Sequence, residues 1–495
     1  MSAIPEPRSA KALGVEPGGD PRRATFSAAR KEHWNAIARS SPEPSLFAAE
    51  YYKRLEEIYR QLVTPGRRVL EVGCGRGDLL AALAPTEGLG VDLSPEMVAM
   101  AARRHGHLRF AEADAHDLGT LRGPFDVIVL SDLLNDVFDV QQVLSEVHRL
   151  CMPQTRLLLN VYSHLWEAPL RLAGSLGFAR PKLEQNWLTL DDLRGLLHLS
   201  GYELVDHRQE VLLPIPLPGL GTLANRYLVK VWPFRHLALT NVVVARPVRM
   251  RGRLPSQPTV SVIVPARNEA GNIGRVLAEV PDMGGGTEIV FVEGHSRDNT
   301  FETIEAAIRE HPERRCSLHR QTGTGKGDAV RLGFEKATGE VLMILDADLT
   351  VSPPDLRRFY DALSSGCGEF VNGVRLVYPM EDEAMRFFNL VGNKFFSWAF
   401  SWLLGQPIKD TLCGTKVLWK EDYERIAANR SYFGDFDPFG DFDLLFGAAK
   451  LNLKIVEVPI RYGARRYGET NIQRWRHGWL LLRMVAFAAR RIKFV

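Results

Sequence analysis

Short apolar runs alternate with amphipathic helical patterns along this chain, and that alternation constrains the fold more than any other feature. Runs such as VLEVG and VIVLS in the first half, and VIVPA and VLMILD in the second, have the length of buried strands. Strands that are separated by helices pair in parallel, and a parallel sheet needs helices on both of its faces. The sequence therefore predicts an α/β fold for each half.

A polar, basic and proline-bearing stretch at residues 250–258 divides the chain. The 495 residues exceed what one hydrophobic core usually organises, and such a stretch before a new apolar strand is typical of a linker. Residues 1–25 are rich in Pro, Gly and Arg and lack apolar periodicity. We therefore predict a disordered tail at 1–25, a first domain at 26–249, a linker at 250–258 and a second domain at 259–495.

Composition excludes several classes of protein. A net charge of +3 is nearly balanced and argues against a dedicated nucleic-acid binder. The five cysteines lack C-x-x-C spacing, so they predict neither a zinc site nor a disulfide framework and favour a reducing compartment. The N-terminus lacks the apolar core of a secretory signal, and no apolar stretch approaches the ~20 residues that span a bilayer. We expect a cytoplasmic protein whose contact with membranes is confined to its surface.

A glycine-rich turn follows the first apolar strand. Glu71 opens the run E-V-G-C-G-R-G, which places Gly73, Gly75 and Gly77 between a strand and a helix. Glycines at that position let the backbone approach a ligand closely, and a helix N-terminus favours partial negative charge nearby. The turn alone is a weak signal, because strand-to-helix turns without a nucleotide also contain glycine.

Two acidic residues extend this pattern to the next strand ends. Asp92 ends the second strand, where it could accept both hydroxyls of a ribose, and Asp114 follows the third, where it could lie at an adenine edge. The order E-x-G-x-G-x-G, V-D-L-S, A-D and F-D-V-I-V-L-S resembles class I S-adenosylmethionine-dependent methyltransferases over roughly residues 29–249. The resemblance implies a Rossmann-like fold with S-adenosylmethionine bound at these positions. An NAD-binding domain is a weaker interpretation, because the G-x-G-x-x-G spacing is absent.

The sequence does not identify the methyl acceptor. The class I resemblance implies that substrate groups come from the ends of the fourth and fifth strands, where polar side chains could position a hydroxyl or take its proton. Those side chains are Asp132, Asn135, Asp136, Tyr162 and His164. For each of them alone, a helix cap, a surface charge or a core hydrogen bond is the commoner role.

Two aspartates, Asp346 and Asp348, end a fully apolar strand of the second half in VLMILDADLT. Carboxylates that project from a strand end suit Mg²⁺ or Mn²⁺, held by one or two protein oxygens together with diphosphate oxygens. Such a metal offsets the charge that builds on a departing nucleotide diphosphate. A bare D-x-D often arises by chance, but here two earlier strands also end in polar groups, the turn 265–269 and Glu293, which could bond a ribose and base.

This set resembles the family 2 glycosyltransferases of the GT-A fold over essentially all of residues 259–495. Residues 325–340, 409–423 and 456–472 make it most similar to the dolichol-phosphate mannose synthase and polyprenyl-phosphate glycosyltransferase branch. The resemblance implies a nucleotide-sugar donor and a metal on Asp346 and Asp348. It implies that Arg375 and Arg465 face the donor phosphates or the acceptor phosphate, which suits the forked donors of arginine. The implied donor-binding residues are Pro265, Arg267, Glu269, Glu293, Lys326, Asp346 and Arg375.

The resemblance further implies inversion by direct displacement, with polyprenyl phosphate as the acceptor. A lipid phosphate is already an anion and needs no protein base, whereas a sugar hydroxyl needs one. Asp443 lies where the family often has an acid, so it is either a catalytic base or a first-turn aspartate of the following helix. Asn471 stands where the branch often has a lysine, and residues 412–416 depart from its S-G-F-R pattern. Both departures lie on the expected acceptor side.

Two segments have the composition of interfacial helices. Residues 387–404 are unusually rich in Phe and Trp, and residues 472–495 place Arg476, Arg483 and Arg490 seven apart on one stripe beside Trp and Phe. We predict peripheral contact with the inner face of the cell membrane. The alternative is a helix packed on the catalytic core with its arginines in water.

Two hypotheses follow for the whole chain. The first is a bifunctional enzyme that transfers a sugar and a methyl group in the synthesis of a cell-envelope glycan or glycolipid. The second is a glycosyltransferase that acts on a glycan hydroxyl, with a first domain that only binds S-adenosylmethionine or serves as a scaffold.

Overall fold

The first half folds around a seven-stranded sheet. The structure, a computed structural model, describes residues 21–40, 45–175, 183–214, 219–248, 257–375, 387–432, 442–461, 463, 467 and 474–494. The strands of the first sheet are β1 (Arg68–Val72), β2 (Glu87–Asp92), β3 (Arg109–Glu112), β4 (Phe125–Ser131), β5 (Cys151–Tyr162), β6 (Tyr202–Glu210) and β7 (Thr240–Pro247). The helices are α1 (Pro21–Ser40), α2 (Leu46–Leu62), α3 (Asp78–Ala82), α4 (Pro95–Arg104), α5 (Val140–His148), α6 (Glu167–Ser175), α7 (Leu190–Leu199) and the single turn α8 (Leu220–Thr222).

The strands lie in the order β3-β2-β1-β4-β5-β7-β6. From β3 to β5 all pairs are parallel, and their apolar side chains are buried beneath helices on both faces. β7 runs antiparallel to both β5 and β6. Because residues 211–239 leave β6 and enter β7 at the same edge of the sheet, these two strands must point in opposite directions. The predicted α/β fold is confirmed, and the sheet is mixed, because β7 is antiparallel to both of its neighbours while the other pairs are parallel.

The second half repeats this architecture with a different strand order. Its strands are β8 (Val260–Ala266), β9 (Thr287–Glu293), β10 (Arg315–Arg320), β11 (Val341–Ile344), β12 (Phe370–Val374), β13 (Lys416–Trp419) and β14 (Ile455–Pro459). Its helices are α9 (Ile273–Glu279), α10 (Thr300–Glu310), α11 (Lys326–Lys336), α12 (Leu356–Ser364), α13 (Phe387–Leu404), α14 (Lys420–Ala428), α15 (Phe442–Lys450) and α16 (Arg474–Ala488).

This sheet has the order β10-β9-β8-β11-β13-β12-β14, and β13 runs antiparallel to both of its neighbours. The second sheet is therefore also mixed. The sequence patterns did not predict β6, β7, β12 or β13. β13 is only four residues long, and short apolar runs of this kind carry no periodicity that separates a strand from a buried helix.

The N-terminal region differs from its prediction. α1 begins at Pro21, so residues 21–25 are helical although they were predicted to be disordered. Residues 1–20 lie outside the described part of the chain, as do residues 250–256 of the predicted linker. α1 shows no apolar periodicity, and it is held in place by ion pairs and hydrogen bonds to the rest of the domain. Such contacts leave no pattern in the sequence of the helix itself.

The two sheets are joined through buried charges. Glu369, which precedes β12, accepts a hydrogen bond of 2.8 Å from Arg156 near the start of β5. Its second cation is Arg246 in β7, at 3.4 Å, and Arg246 also donates to the carbonyl of Gly366 at 2.8 Å. Arg156, Arg246, Gly366 and Glu369 all lie at the amino edges of their sheets. Arg246 is near the end of β7, but β7 is antiparallel, so this end lies at the amino edge of the neighbouring strands. The carboxyl edges therefore lie on the far side of each sheet from this contact.

Candidate functional site

In the first domain, the glycine turn is closed by the end of the neighbouring strand. Gly73 and Gly77 have left-handed backbones, with φ of 76° and 75°. Asp92 accepts hydrogen bonds of 2.9 Å from the backbone N–H groups of Gly75 and Ser94, one on each carboxylate oxygen. Burial raises the pKa of Asp92, and these two hydrogen bonds act against that effect. A carboxylate has about four acceptor positions, so Asp92 keeps capacity for hydroxyl groups.

Glu71 lies beneath this turn and is buried, at 3% exposure. Burial raises the pKa of its carboxyl group to about 8, and its Oε2 has no hydrogen-bond partner among the described residues. A Cβ at Gly75 would meet nothing within 4 Å, so open space adjoins the turn. An unpaired buried oxygen and an open glycine cradle fit S-adenosylmethionine, which carries positive charge and would supply the methyl group.

Helix α1 crosses the carboxyl edge of the first sheet. Asn35 accepts a hydrogen bond of 2.6 Å from Ser94, and Lys31 pairs with Glu112 at the end of β3. Asp114 lies 3.8 Å from Arg23. α1 therefore covers the strand ends where the predicted cofactor residues lie. The sequence analysis did not predict that a helix packs over these strand ends.

Asp114 already accepts hydrogen bonds within the protein, although it was predicted to bond an adenine. Its Oδ1 accepts hydrogen bonds from the backbone N–H of His116 at 2.9 Å and from the ring of His116 at 2.7 Å. Although burial acts to raise the pKa of Asp114, the His116 bonds and Arg23 outweigh it and lower the pKa to about 2. The carboxylate is thus ionised, and its place in an adenine site remains a prediction.

Among the five predicted acceptor-side residues, Asp132 and Tyr162 come together. Asp132 has a left-handed backbone, φ 54°, and accepts hydrogen bonds from Tyr51 at 2.9 Å, Tyr162 at 3.4 Å and Asn160 at 2.5 Å. Non-glycine residues with such backbones cluster at functional sites, because the surrounding structure must hold them there. Leu133, the next residue, contacts the glycine turn, since a Cβ on Gly73 would lie 2.9 Å from it.

The other three residues have structural partners. Asn135 is buried, donates to the carbonyl of Asn186 at 2.7 Å and accepts from the backbone of Tyr162 at 3.2 Å. Asp136 is paired with Arg30 and accepts a hydrogen bond from Trp34 of α1, at 2.7 and 2.9 Å. His164 is largely exposed and lies 3.6 Å from Glu167. These contacts agree with the commoner, structural interpretation of each residue.

In the second domain, three polar strand ends share one edge of the sheet. β8, β9 and β11 are parallel, and the loops that follow them contain the left-handed residues Asn268, His295 and Leu349. Asn268 ties two of these loops together, because its side chain accepts a hydrogen bond of 2.8 Å from the backbone of Arg297. The predicted nucleotide edge is therefore built from strained turns, as functional sites often are.

The predicted nucleotide residues lie along this edge with different exposures. Arg267 is exposed and Pro265 is half-buried. Glu269 is buried and accepts a hydrogen bond of 2.7 Å from Asn272. Glu293 is also buried and accepts from the backbone of Ser296, with Arg320 at 3.8 Å. Glu269 and Glu293 thus shape the loops, while Arg267 presents its charge outward.

Lys326 and Asp346 form the centre of the predicted donor site. Lys326 is the first residue of α11, and its Nζ lies 2.7 Å from Asp346 Oδ1. A Cβ at Gly414 would collide with the Asp346 carboxylate and with Lys326 Nζ. Gly414, which the sequence showed only as a departure from the family pattern, therefore leaves the space in which these two side chains meet.

Asp348 turns back on its own loop, and its Oδ1 accepts from the hydroxyl and backbone N–H of Thr350 at 2.8 and 3.1 Å. Among the described residues no group of three or more His, Cys, Asp or Glu side chains could hold a metal. Asp346 and Asp348 would supply two hard oxygen ligands. Such a pair fits Mg²⁺ or Mn²⁺ only where donor phosphates complete the coordination sphere.

Arg375, predicted to face phosphate, makes a two-pronged ion pair with the buried Asp410. The distances are 2.6 Å from Nε and 2.8 Å from Nη2. Although burial acts to raise it, the pKa of Asp410 is lowered because Arg375 and backbone N–H groups stabilise the carboxylate. Asp410 also accepts from the backbones of Leu412 and Cys413, at 3.0 and 3.1 Å. Arg375 and Asp410 thus hold the loop that presents Gly414 to Asp346.

Asp443 lies in the first turn of α15 and is buried. Its Oδ2 accepts a hydrogen bond of 2.8 Å from Arg430 and lies 3.6 Å from Arg331. Two arginines around one buried carboxylate indicate a structural ion pair in this conformation. Arg465 and Asn471 lie outside the described residues.

The two predicted interfacial segments are helical where they are described, as α13 and α16. Arg483 and Arg490 are exposed, and the side chain of Arg476 lies outside the description. Trp398 of α13 and Trp479 of α16 are 67% and 66% exposed. Across the described part of the chain, every helix is too short or too polar to cross a membrane.

Comparisons with known proteins match the two halves separately. Residues 261–417 match the family model for glycosyl transferase family 2, and residues 47–207 match a methyltransferase domain model. Glycosyltransferase AglJ of Haloferax volcanii is 29% identical over 46% of this chain and 71% of its own length. A dolichol-phosphate mannosyltransferase of Pyrococcus furiosus is 29% identical over 43% of this chain, which spans 59% of the length of that relative.

Among solved structures, a magnesium protoporphyrin IX methyltransferase from Synechocystis with bound SAH is 17% identical. It aligns with 46% of this chain and 98% of its own, with a TM-score of 0.32.

Proposed function

Since this enzyme joins a methyltransferase domain to a family 2 glycosyltransferase domain, we propose that it carries out two transfers. The second domain transfers a sugar from a nucleotide-sugar donor to polyprenyl phosphate. The first domain transfers a methyl group from S-adenosylmethionine. Both steps serve the synthesis of a cell-envelope glycan or glycolipid.

The pairing of Lys326 with Asp346 beneath Gly414 carries the sugar-transfer proposal. The site combines a cation with two strand-end carboxylates, Asp346 and Asp348. A donor diphosphate could replace Asp346 as the partner of Lys326, and Asp346 and Asp348 would hold Mg²⁺ or Mn²⁺. The metal would supply positive charge that, together with Lys326, offsets the charge on the leaving diphosphate.

The acceptor proposal draws on the relatives and on Asp443. The curated relatives include a dolichol-phosphate mannosyltransferase and a polyprenol monophosphomannose synthase. A phosphate acceptor needs no general base, and Asp443 is already engaged by Arg430. We further propose peripheral contact with the inner face of the cell membrane, where such an acceptor resides. For the methyl group, Glu71, Asp92 and the glycine turn would hold the cofactor, with Asp132 at the acceptor side.

The acceptor can be tested with purified protein and a panel of nucleotide sugars, with and without polyprenyl phosphate. We expect a lipid-linked sugar, formed at a reduced but measurable rate by Asp443→Asn. Transfer only to a soluble glycan, abolished by Asp443→Asn, would replace this proposal with a glycan hydroxyl acceptor and make Asp443 the base. Calorimetry with S-adenosylmethionine tests the first domain, and an intact chain that does not bind it would leave that domain as a scaffold.

A further inference from the structure

One flank of the molecule concentrates its exposed apolar side chains. The segment that joins β6 to β7 carries seven of them, which are Leu220, Leu223, Tyr227, Val231, Trp232, Phe234 and Leu237, each at least 40% exposed. Trp232 is 71% exposed. Side chains of this size scattered singly are ordinary, whereas so many in eighteen residues mark an interaction surface.

This segment is continuous with α13 and the end of the chain. Trp402 of α13 donates a hydrogen bond of 3.1 Å to the carbonyl of Lys230. Arg226 donates at 2.8 Å to the carbonyl of Phe494, whose ring lies 5.3 Å from that of Tyr227. Trp398 lies one helical turn before Trp402, on the same side of α13. We call the surface formed by residues 219–237, α13 and residues 479–494 the aromatic flank.

The charged residues of the aromatic flank are all basic. The sequence contains no Asp or Glu between Glu210 and Glu269, none in residues 387–404, and none after Glu469. Arg226, Arg235, Lys394, Arg483 and Arg490 are all exposed. The whole chain has 59 acidic residues, yet the three segments that meet on this surface have none. The surface therefore favours a binding partner with negative charge.

We infer that the aromatic flank docks the enzyme on an anionic lipid bilayer, and that the methyltransferase domain supplies the larger part of this contact. Exposed Trp and Phe beside Arg and Lys are the pattern of a surface that lies in the headgroup region. The described helices cannot span the membrane, so the contact is lateral. An acidic or apolar protein partner would leave unexplained why basic and aromatic groups alternate over both domains.

The position of the flank relates it to both sites. Residues 211–239 begin and end at the carboxyl edge of the first sheet, because Thr240 pairs with Tyr162 at the end of β5. α13 lies between β12, which ends at the carboxyl edge of the second sheet, and β13. The flank therefore borders the acceptor side of the first predicted site, and in the second domain it begins after the carboxyl end of β12. The inference extends the proposed function by placing the methyl acceptor at the membrane as well, but the docking itself does not depend on which sugar acceptor is used.

Vesicle sedimentation tests the docking without reading either activity. We expect the intact chain to bind vesicles of equal parts phosphatidylglycerol and phosphatidylcholine, and to bind pure phosphatidylcholine vesicles much more weakly. Trp232→Ser should weaken binding about tenfold through lost apolar burial, and Arg235→Glu at least about fivefold through lost charge attraction. Leu199→Ser and Arg309→Glu, exposed residues outside the flank, should bind like the unaltered chain.

Three results would overturn the inference. In the first, the intact chain does not bind anionic vesicles. In the second, Trp232→Ser and Arg235→Glu both bind as well as the unaltered chain. In the third, the two control variants lose as much vesicle binding as these two variants do. Light scattering distinguishes a protein interface, because a dimer that Trp232→Ser converts to a monomer in the absence of lipid would assign the flank to a second copy instead. Sugar transfer to a short-chain, water-soluble polyprenyl phosphate without vesicle binding would leave the proposed function standing and remove only the docking surface.

Discussion

The carboxyl edge of the first sheet presents glycine backbone and buried carboxyl groups, whereas that of the second presents a lysine paired with a carboxylate. At the first edge Asp92 accepts hydrogen bonds from backbone N–H groups, and Oε2 of Glu71 has no hydrogen-bond partner within the described ranges. At the second edge Asp346 meets Lys326 directly. The first arrangement suits a cofactor that carries positive charge. The second suits a polyanion, because an anionic ligand can replace Asp346 as the partner of Lys326. Similar folds thus reach different ligands through the groups at their strand ends.

The largest effect should come from removing one carboxylate of the second site. Asp346→Asn should lower sugar transfer about 10³-fold, because the metal loses a ligand and Lys326 loses its partner. The dissociation constant for S-adenosylmethionine should not change if the two edges are independent. Radiolabelled sugar transfer and calorimetry measure the two quantities. Asp361→Asn, an exposed acid of the same domain, is the control, and activity that survives both Asp346→Asn and EDTA would contradict the metal assignment.

A change at the contact between the sheets tests whether the halves are stable separately. Glu369→Gln removes the buried anion between Arg156 and Arg246, both of which are buried. Arg246 keeps its ion pair with Glu203, but Arg156 would be left as a buried cation without its carboxylate, which should cost about 3–5 kcal/mol of unfolding free energy. Urea unfolding followed by intrinsic fluorescence measures this loss, with the exposed Glu310→Gln as control. A loss confined to one of two separate transitions would show that the domains unfold independently.

The buried carboxyl of Glu71 should make the first site sensitive to pH. Its pKa is raised from 4.5 to about 8, so between those values the unfolded chain releases a proton that the folded chain retains. The contribution of this group to stability is therefore present at low pH and falls as pH rises through that window. Relative to Glu71→Gln, the unaltered chain should lose about 2–4 kcal/mol between about pH 5 and pH 8. Urea unfolding at a series of pH values measures this difference. If the unfolding free energies of the two proteins change in parallel with pH, the raised pKa of Glu71 is contradicted.

The smallest expected effect separates two glycines of one turn. At Gly75 a Cβ meets open space, so Gly75→Ala should cost only about 1 kcal/mol of stability for its left-handed backbone, while cofactor affinity falls. At Gly77 a Cβ would lie 2.8 Å from the Phe110 ring, so Gly77→Ala should destabilise the domain by about 1–3 kcal/mol as well. Thermal unfolding and calorimetry on both variants check this. Unchanged cofactor affinity in Gly75→Ala would place the cofactor elsewhere.

The amino-acid sequence was enough to predict the α/β class of both halves and the strand ends that carry polar groups. These follow from local patterns, since an apolar run that ends in glycine or aspartate specifies both a strand and the group at its carboxyl edge. The two family resemblances, which rest on those same residues, are confirmed by the matches at residues 47–207 and 261–417. The site roles assigned from them remain predictions.

Which side chains contact one another could be seen only in the folded chain. Lys326 and Asp346 meet in the space beside Gly414, and Arg375 is bound to Asp410 although the family resemblance implied that it faces a phosphate. The cover of the first site by α1 and the continuity of the aromatic flank likewise join residues that are far apart in the chain. Local patterns report burial and backbone preference within a few residues, whereas an ion pair between distant segments depends on how whole elements pack. For that reason the sequence predicted the strand ends, and the structure was needed to show their partners.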